Sequence, residues 1–151
     1  MNILIVAENR KARHDYEILE TFEAGMALMG SEVKSLRDRQ VQLKDSYVVF
    51  KGHEAYLQNA HIAEYKSSSY NNHAPERLRK LLLHRHELNK IYGGLREKGL
   101  TCVPLKIYFK NGRAKVELAM AKGRKTHDKR QAIKKRDETR EAAKSLRRPR
   151  R

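Results

Sequence analysis

The chain has 151 residues, of which 39% are hydrophobic and 34% charged, with a formal net charge of +16 and a pI of about 10.1. This length allows one core domain with an appendage, and this charge favours an acidic partner such as nucleic acid. The single cysteine, Cys102, excludes an internal disulfide framework and favours a reducing compartment. No apolar run near the N-terminus is long enough for a signal peptide or a membrane span, so we expect a cytoplasmic protein with no membrane partner.

The first thirty residues predict two strands separated by a basic patch. Residues 2–7 are typical of a short strand, and residues 9–14 form the patch. Residues 16–29 also contain helix formers, but Gly25 and Gly30 disfavour one continuous helix. We therefore expect a long strand that is bent or bulged near Gly25.

Residues 31–39 predict a short helix with Ser31 as its N-cap. The residues expected to face inward are Val33 and Leu36. The same helical spacing leaves three others around the remaining surface, namely Glu32, Lys34 and Ser35.

The middle of the chain predicts a hairpin, a loop and two helical pieces. Strands over 47–50 and 55–57 flank a turn at 51–54, and Ile62 could continue that sheet. Residues 66–74 form a polar loop, and Pro75 suits the first turn of a helix. From Leu78 to Leu95 the apolar spacing is helical, with a break at His84–His86, where Glu87 could complete a cap, and a stop at Gly99.

Residues 103–120 contain the clearest element, because Asn111-Gly112 is the strongest short signal for a two-residue hairpin turn. The turn pairs Phe109 with Ala114, Ile107 with Val116, Leu105 with Leu118 and Val103 with Met120. We expect these apolar pairs to share one face of the hairpin, with Lys106 opposite Glu117 on the other face.

The C-terminal segment 122–151 is far more basic than the body, residues 1–121. It holds fourteen Lys or Arg and four acids, a net charge of +10, whereas the body carries only +6. Its only sizeable apolar side chains are Ile133 and Leu146, too few to offset the entropy cost of ordering the segment. We expect a tail that is disordered, or at most partly helical, when free and that a polyanion can order.

The strand count, the long bent early strand and the helices before the last hairpin favour a mainly β fold. The candidate is a small antiparallel β-barrel of the oligonucleotide-binding (OB) type, flanked by about three α-helices and followed by the disordered basic tail. A two-layer α+β sheet is the alternative that periodicity alone permits.

The sequence carries no catalytic or cofactor signature, so we expect a protein that is not an enzyme. His84 and His86 are two apart and would point in nearly opposite directions on a helix, and no zinc-ligand spacing is present. Gly93-Gly94 lacks the spacing and the lysine of a phosphate-binding loop. We expect no metal, no cofactor and no catalytic residue.

Several motifs follow one another in the chain: residues 9–16, 22–25, 30–37, 45–47, 79–83, 121–123 and 127–130. Together, in colinear order across nearly the whole chain, they resemble the SmpB (SsrA-binding protein) family. The family's usual Gly-Lys-Lys reads Gly123-Arg124-Lys125 here, a departure that keeps the charge.

The resemblance implies an OB-type barrel that binds transfer-messenger RNA (SsrA RNA) at its tRNA-like domain and delivers it to stalled ribosomes in trans-translation. It also implies that the tail, disordered in the free protein, becomes helical in the empty mRNA channel beside the small-subunit decoding centre. Alanyl-tRNA synthetase and elongation factor Tu would be indirect partners. By motif match, RNA binding falls on Asn9, Lys11, Ala12, Glu32, Lys34, Ser35, Leu36 and Lys122. The decoding-centre and tail role falls on Gly123, Lys125, His127, Asp128, Lys129, Arg130 and Ile133.

Two other classes remain open. A small basic ribosomal or ribosome-assembly protein would also be tailed, but it would stay on ribosomes in high salt. A nuclease would require metal-dependent cleavage of RNA and a carboxylate cluster that the sequence does not show.

Overall fold

A computed structural model describes residues 3–65 and 72–123, so the predicted tail from residue 124 onward lies outside the described residues. In the described part the fold is mainly β and antiparallel with three helices, as predicted. The helices are α1 (Arg10–Asp15), α2 (Gly30–Arg37) and α3 (Arg85–Glu97). The strands are β1 (Ile3–Glu8), β2 (Tyr16–Met26), β3 (Val41–Gln42), β4 (Tyr47–Lys51), β5 (Glu54–Gln58), β6 (His61–Ile62), β7 (Arg79–Leu82), β8 (Thr101–Lys110) and β9 (Arg113–Gly123).

Seven of these strands form one sheet in the order β1-β8-β9-β2-β7-β5-β4. The edge strand β4 packs back against β8 in the middle of the other half, so the sheet curls around a common core. β7 is the joint, because it pairs with β2 on one side and with β5 on the other. Ile62 does not continue the sheet as expected; it pairs with Val41 in a separate two-stranded sheet, β3–β6.

The predicted hairpin is present as β8–β9, and half of its predicted register is right. Asn111 and Gly112 have φ values of 53° and 82°, as the tight turn requires. Phe109 pairs with Ala114 and Ile107 with Val116, as predicted. Beyond the Lys106–Glu117 pair a bulge at Leu105 shifts the register by one residue.

This bulge makes the prediction of a single shared apolar face wrong. Beyond it, Val103 pairs with Ala119 and Pro104 with Leu118. Because side chains alternate along a strand, one extra residue moves the following ones to the opposite face. Ile107 and Phe109 therefore pack in the main core, whereas Val103 and Leu105 pack in a smaller cluster on the outer side with Ala12, Ala119 and Ala121.

β2 is the long strand that the sequence predicts, but its bulge lies elsewhere. The register with β9 shifts between Ile18 and Glu20, leaving Leu19 as an extra, half-exposed residue. Gly25 lies instead where β2 gains its second neighbour, β7, opposite Leu82. A side chain there would meet the Leu82 side chain at 3.4 Å, so the glycine permits close approach of β7.

The first of the two predicted helical pieces is wrong, because residues 79–82 form β7. Arg79 and Leu81 are buried, and Leu82 is exposed, so the segment alternates like a strand. Pairing with two strands supplies backbone hydrogen bonds that local helix propensity does not outweigh. The second piece is confirmed as α3, with the Glu87 carboxylate accepting from the His84 amide at 3.1 Å and Gly99 beyond its end at φ 65°.

α2 begins one residue earlier than predicted, at Gly30, with Met29 rather than Ser31 at its N-cap. Leu36 is buried as expected, but Glu32 and Ser35 are buried too, so their predicted surface positions are wrong. The Ser35 hydroxyl donates to the Ala63 carbonyl at 2.7 Å, and Glu32 accepts from the Met29 amide at 2.8 Å. Polar side chains point inward here because polar partners lie on the sheet side of the helix.

Glu32 and Arg79 form a fully buried ion pair between α2 and β7. Arg79 Nε donates to Glu32 Oε2 at 2.7 Å, and Arg77, which is only partly buried, donates to Glu32 Oε1 at 2.6 Å. The other Arg79 nitrogens donate to the carbonyls of Ala60 at 2.6 Å and Pro75 at 2.9 Å. The guanidinium at the start of β7 thus binds α2 and two loop carbonyls.

Burial by itself raises the pKa of Glu32, but the hydrogen bonds from Arg77 and the Met29 amide and the charge of Arg79 outweigh it. The pKa of Glu32 is therefore lowered from its usual 4.5. The carboxylate stays ionised although no water reaches it.

We expect Glu32→Ala to lower the free energy of unfolding by about 3–5 kcal/mol, because it leaves the buried Arg79 charge without its partner. Denaturant unfolding followed by circular dichroism measures this. Lys34→Ala, two residues along the same helix but exposed, is the matched control and should change stability by less than about 0.5 kcal/mol. A loss below about 1 kcal/mol for Glu32→Ala would contradict the role of the ion pair.

The Glu32–Arg79 ion pair also predicts that the folded protein loses stability in acid. Because the pKa of Glu32 is lower in the folded protein than in the unfolded chain, its stabilisation is complete above pH 4.5 and is lost as pH falls through the folded pKa. We expect Glu32→Gln to lose less unfolding free energy than the parent protein between about pH 7 and about pH 3. Equal losses in the two proteins would show that Glu32 does not contribute to the acid sensitivity.

Candidate nucleic-acid interface

The basic patch predicted near the start of the chain forms α1, and Asn9 holds this short helix on the sheet. The Asn9 side chain accepts from the Ala12 amide at 3.2 Å and so caps the helix. Its amide group donates to the carbonyls of Pro104 at 2.9 Å and Leu43 at 3.3 Å. Buried Asn9 and Ala12 thus position α1, whereas the charged residues between and after them point outward.

A pocket of about 220 Å³ lies between α1, the turn before β4 and the start of β8. Its wall includes Lys11, Asp45, Tyr16 and Tyr47, and both tyrosines pack against the smaller apolar cluster. Lys11 Nζ lies 3.6 Å from an Asp45 carboxylate oxygen, with both side chains more than half exposed. The pocket thus joins half-buried aromatic rings with an exposed cation and an exposed anion.

Further exposed cations surround this corner of the protein. The α1 residues that face solvent are Arg10, Lys11, Arg13 and His14. Lys122, also exposed, lies opposite Glu17 near the end of β9, and the next residue, Gly123, pairs with the pocket residue Tyr16. Arg13 and Lys106 both approach Glu117 at 3.9 Å, so one acid is shared between two bases. A positive rim with aromatic rings within it suits the phosphates and bases of RNA.

The α2 residues predicted to bind RNA are arranged differently. Lys34 is exposed and its ammonium lies 5.6 Å from the centre of the Tyr65 ring. Glu32, Ser35 and Leu36 are buried, so their side chains support the helix rather than its surface. Of the four, only Lys34 has an exposed side chain.

The structure thus brings Asn9, Lys11 and Ala12 together with Lys122 at one corner, whereas Lys34 faces the Tyr65 ring. The segment that follows α2 connects this helix to the corner through hydrogen bonds. Arg39 donates to the Ile5 carbonyl of β1 at 2.8 Å, and the Asn9 side chain donates to the Leu43 carbonyl a few residues later.

Gly123, the first of the predicted tail residues, is the last residue of β9. The remaining predicted tail residues lie outside the described residues: Lys125, His127, Asp128, Lys129, Arg130 and Ile133.

β9 continues two residues beyond the predicted body, since Lys122 and Gly123 pair with β2. Reasoning from the sequence also missed the pocket and Arg79. Asp45 and Tyr47 stood within a recognised motif, but nothing in periodicity places them beside α1. Asp45 has a positive φ of 62°, typical of turns that favour Asp or Asn, but the residue type alone does not place this turn beside α1.

The described part of the chain contains no group of three or more His, Cys, Asp or Glu side chains that could hold a metal ion. Over the same residues no helix is both long and apolar enough to cross a membrane. Cys102 is a buried core thiol, and burial raises its pKa to about 12.

The chain is similar to known proteins along most of its length. A curated SsrA-binding protein of Bdellovibrio bacteriovorus is 72% identical over 149 residues, covering 99% of this chain and 98% of the relative. One from Syntrophobacter fumaroxidans is 54% identical over 137 residues, covering 91% and 85%.

A solved structure described as "tmRNA-SmpB: a journey to the center of the bacterial ribosome" contains a chain with 54% identity and a TM-score of 0.69. The match covers 84% of this chain and 93% of that one. The family model described as SmpB protein matches residues 6–148. The motifs, the fold and these matches agree: the chain belongs to the SmpB protein family.

Proposed function

We propose that this protein binds transfer-messenger RNA (SsrA RNA) and delivers it to stalled ribosomes in trans-translation. The observation that carries the proposal is the 54% identical chain in the solved structure described as tmRNA-SmpB at the center of the bacterial ribosome. The basic corner around α1 supports it, because a rim of exposed cations beside aromatic rings suits a structured RNA. The protein acts as an RNA-binding factor rather than as an enzyme, and in the cytoplasm, where translation takes place.

Two kinds of residue contribute to RNA binding in the body. Lys11, Lys34 and Lys122 are exposed and neutralise phosphates. The buried members of the predicted set hold α1 and α2 in place, so their effect on RNA is indirect: Asn9, Ala12, Glu32, Ser35 and Leu36. The tRNA-like domain of transfer-messenger RNA is the part that the body contacts.

The tail serves the ribosome. Residues 124–151 carry a net charge of +9, which suits the rRNA-lined mRNA channel and small-subunit decoding centre. The residues assigned to this role are Gly123, Lys125, His127, Asp128, Lys129, Arg130 and Ile133. The tail folds into a helix there and reports that no message is present. Alanyl-tRNA synthetase and elongation factor Tu act on the same RNA and are indirect partners.

We expect Lys11→Ala to weaken binding to transfer-messenger RNA and to reduce the slope of log affinity against log salt by about one, because one phosphate contact is lost. Lys51→Ala, an exposed lysine at the far end of β4, is the charge-matched control and should leave the slope unchanged. Fluorescence anisotropy over a salt series measures both. The Lys11 assignment fails if the two variants behave alike.

A second prediction separates body from tail. We expect a chain ending at Gly123, which keeps all of β9, to prefer transfer-messenger RNA over an equal-length structured RNA at moderate salt. The truncated chain should not support trans-translation on ribosomes that lack a message. Loss of the RNA preference in this truncation would contradict the division. Stoichiometric retention of the full chain on salt-washed ribosomes without the RNA would favour a ribosomal protein instead.

A further inference from the structure

The turn that precedes β4 holds an acid on the basic corner, where the proposed ligand is a polyanion. Asp45 projects from this turn and lines the pocket beside α1. Its carboxylate carries the charge that repels phosphate, and its side chain is 69% exposed. An exposed ion pair such as Lys11–Asp45 adds little to stability, and the positive φ of this turn suits Asn as well as Asp, so neither explains the negative charge there.

The turn is anchored on both sides, which fixes the position of Asp45. The Leu43 carbonyl accepts from the Ser46 amide at 3.1 Å and from the Ser46 hydroxyl at 2.5 Å. The same carbonyl accepts from Asn9, the cap of α1. Asp45 itself has a φ of 62°, so its backbone is confined to a turn conformation. The anchored backbone thus places the Asp45 carboxylate at the pocket, where it is free to accept hydrogen bonds from a ligand.

One wall of the pocket fits a planar ring. Tyr16 and Tyr47 are half-buried against the apolar cluster that includes Ala12 and Val103, so one side of the pocket is aromatic and aliphatic. Unpaired RNA bases bind proteins by stacking on aromatic side chains and by hydrogen bonds along their base edges. The cavity of about 220 Å³ has room for one purine base.

Among the four RNA bases, guanine matches the carboxylate. Its Watson–Crick edge presents two adjacent donors, N1–H and the 2-amino group, which one carboxylate can accept together. Adenine and cytosine present one amino group beside an acceptor nitrogen, and uracil one donor between two carbonyls. In these three bases an acceptor beside the donor would face the negative oxygens of Asp45, and the two would repel each other.

We propose that this pocket binds one unpaired guanine of the RNA, with Asp45 accepting from its Watson–Crick edge and Tyr16 and Tyr47 against its ring. Lys11, released from Asp45, then neutralises a neighbouring phosphate. The exchange replaces a weak surface ion pair with a charged hydrogen-bonded pair and a phosphate contact. The proposal rests on the proposed function, since it names which feature of the RNA this corner reads.

Asp45→Asn is a sharp test because the two explanations predict opposite changes in RNA affinity. If Asp45 only repels phosphate, removing its charge strengthens RNA binding. If Asp45 reads guanine, the variant loses affinity for transfer-messenger RNA by about tenfold. Asparagine tolerates the same positive φ, so the turn is kept. Asp38→Asn, an exposed acid at the end of α2, gives the same charge change as a control and should bind no more weakly than the parent.

A second measurement needs no transfer-messenger RNA. Guanosine 5′-monophosphate titrated into the full chain should shift the backbone amide NMR signals of residues 45–47 and of α1. Inosine 5′-monophosphate lacks the 2-amino group and should bind several-fold more weakly, and adenosine 5′-monophosphate more weakly still. Asp45→Asn should abolish the difference between the first two nucleotides.

The results distinguish failure of the pocket from failure of the proposed function. Unchanged or tighter RNA binding by Asp45→Asn, or equal shifts with all three nucleotides, overturns the guanine site while leaving transfer-messenger RNA as the ligand. Equal binding of the parent protein to transfer-messenger RNA and to an unrelated structured RNA overturns the proposed function. A guanosine-specific shift at residues 45–47 would still support the pocket in that case.

Discussion

The buried ion pair between Arg79 and Glu32 is the interaction on which the rest of the structure depends. β7 joins the two halves of the sheet, and Arg79 stands at its first position. The same guanidinium binds α2 through Glu32 and two loop carbonyls, at Ala60 and Pro75. Burying two charges is costly unless each is paired and hydrogen-bonded, and here both are. The pair therefore specifies where α2 and β7 meet.

The proposed RNA surface follows from such buried anchors more than from its own exposed side chains. Asn9 joins the cap of α1 to backbone carbonyls on β8 and before β4, so the cations of α1 stand on a rigid base. Ser35 and Glu32 do the same for α2 and its exposed Lys34. Substitutions at buried and at exposed residues of this set can therefore weaken RNA binding for different reasons. Measurements of stability and of salt dependence separate the two.

Much of the fold could be predicted where one local signal was strong. The Asn111-Gly112 turn determined the pairing near the tip of the β8–β9 hairpin, and the His84–Glu87 cap marked the start of α3. The errors came where distant segments supplied partners. Residues 79–82 have helical apolar spacing, yet they pair with β2 and β5 on either side. Glu32 looks like a surface acid until two arginines from forty-five and forty-seven residues away reach it.

The sequence by itself determined the charge division between body and tail, the mainly β class, the hairpin turn and the family, because these depend on composition and short motifs. The tertiary structure alone decided the bulge at Leu105, the burial of Glu32 and the pocket that gathers Lys11, Asp45 and Tyr47. Each of these joins residues far apart in the chain. Local propensities do not encode such contacts, whose free energy arises only when the sheet curls and brings the segments together.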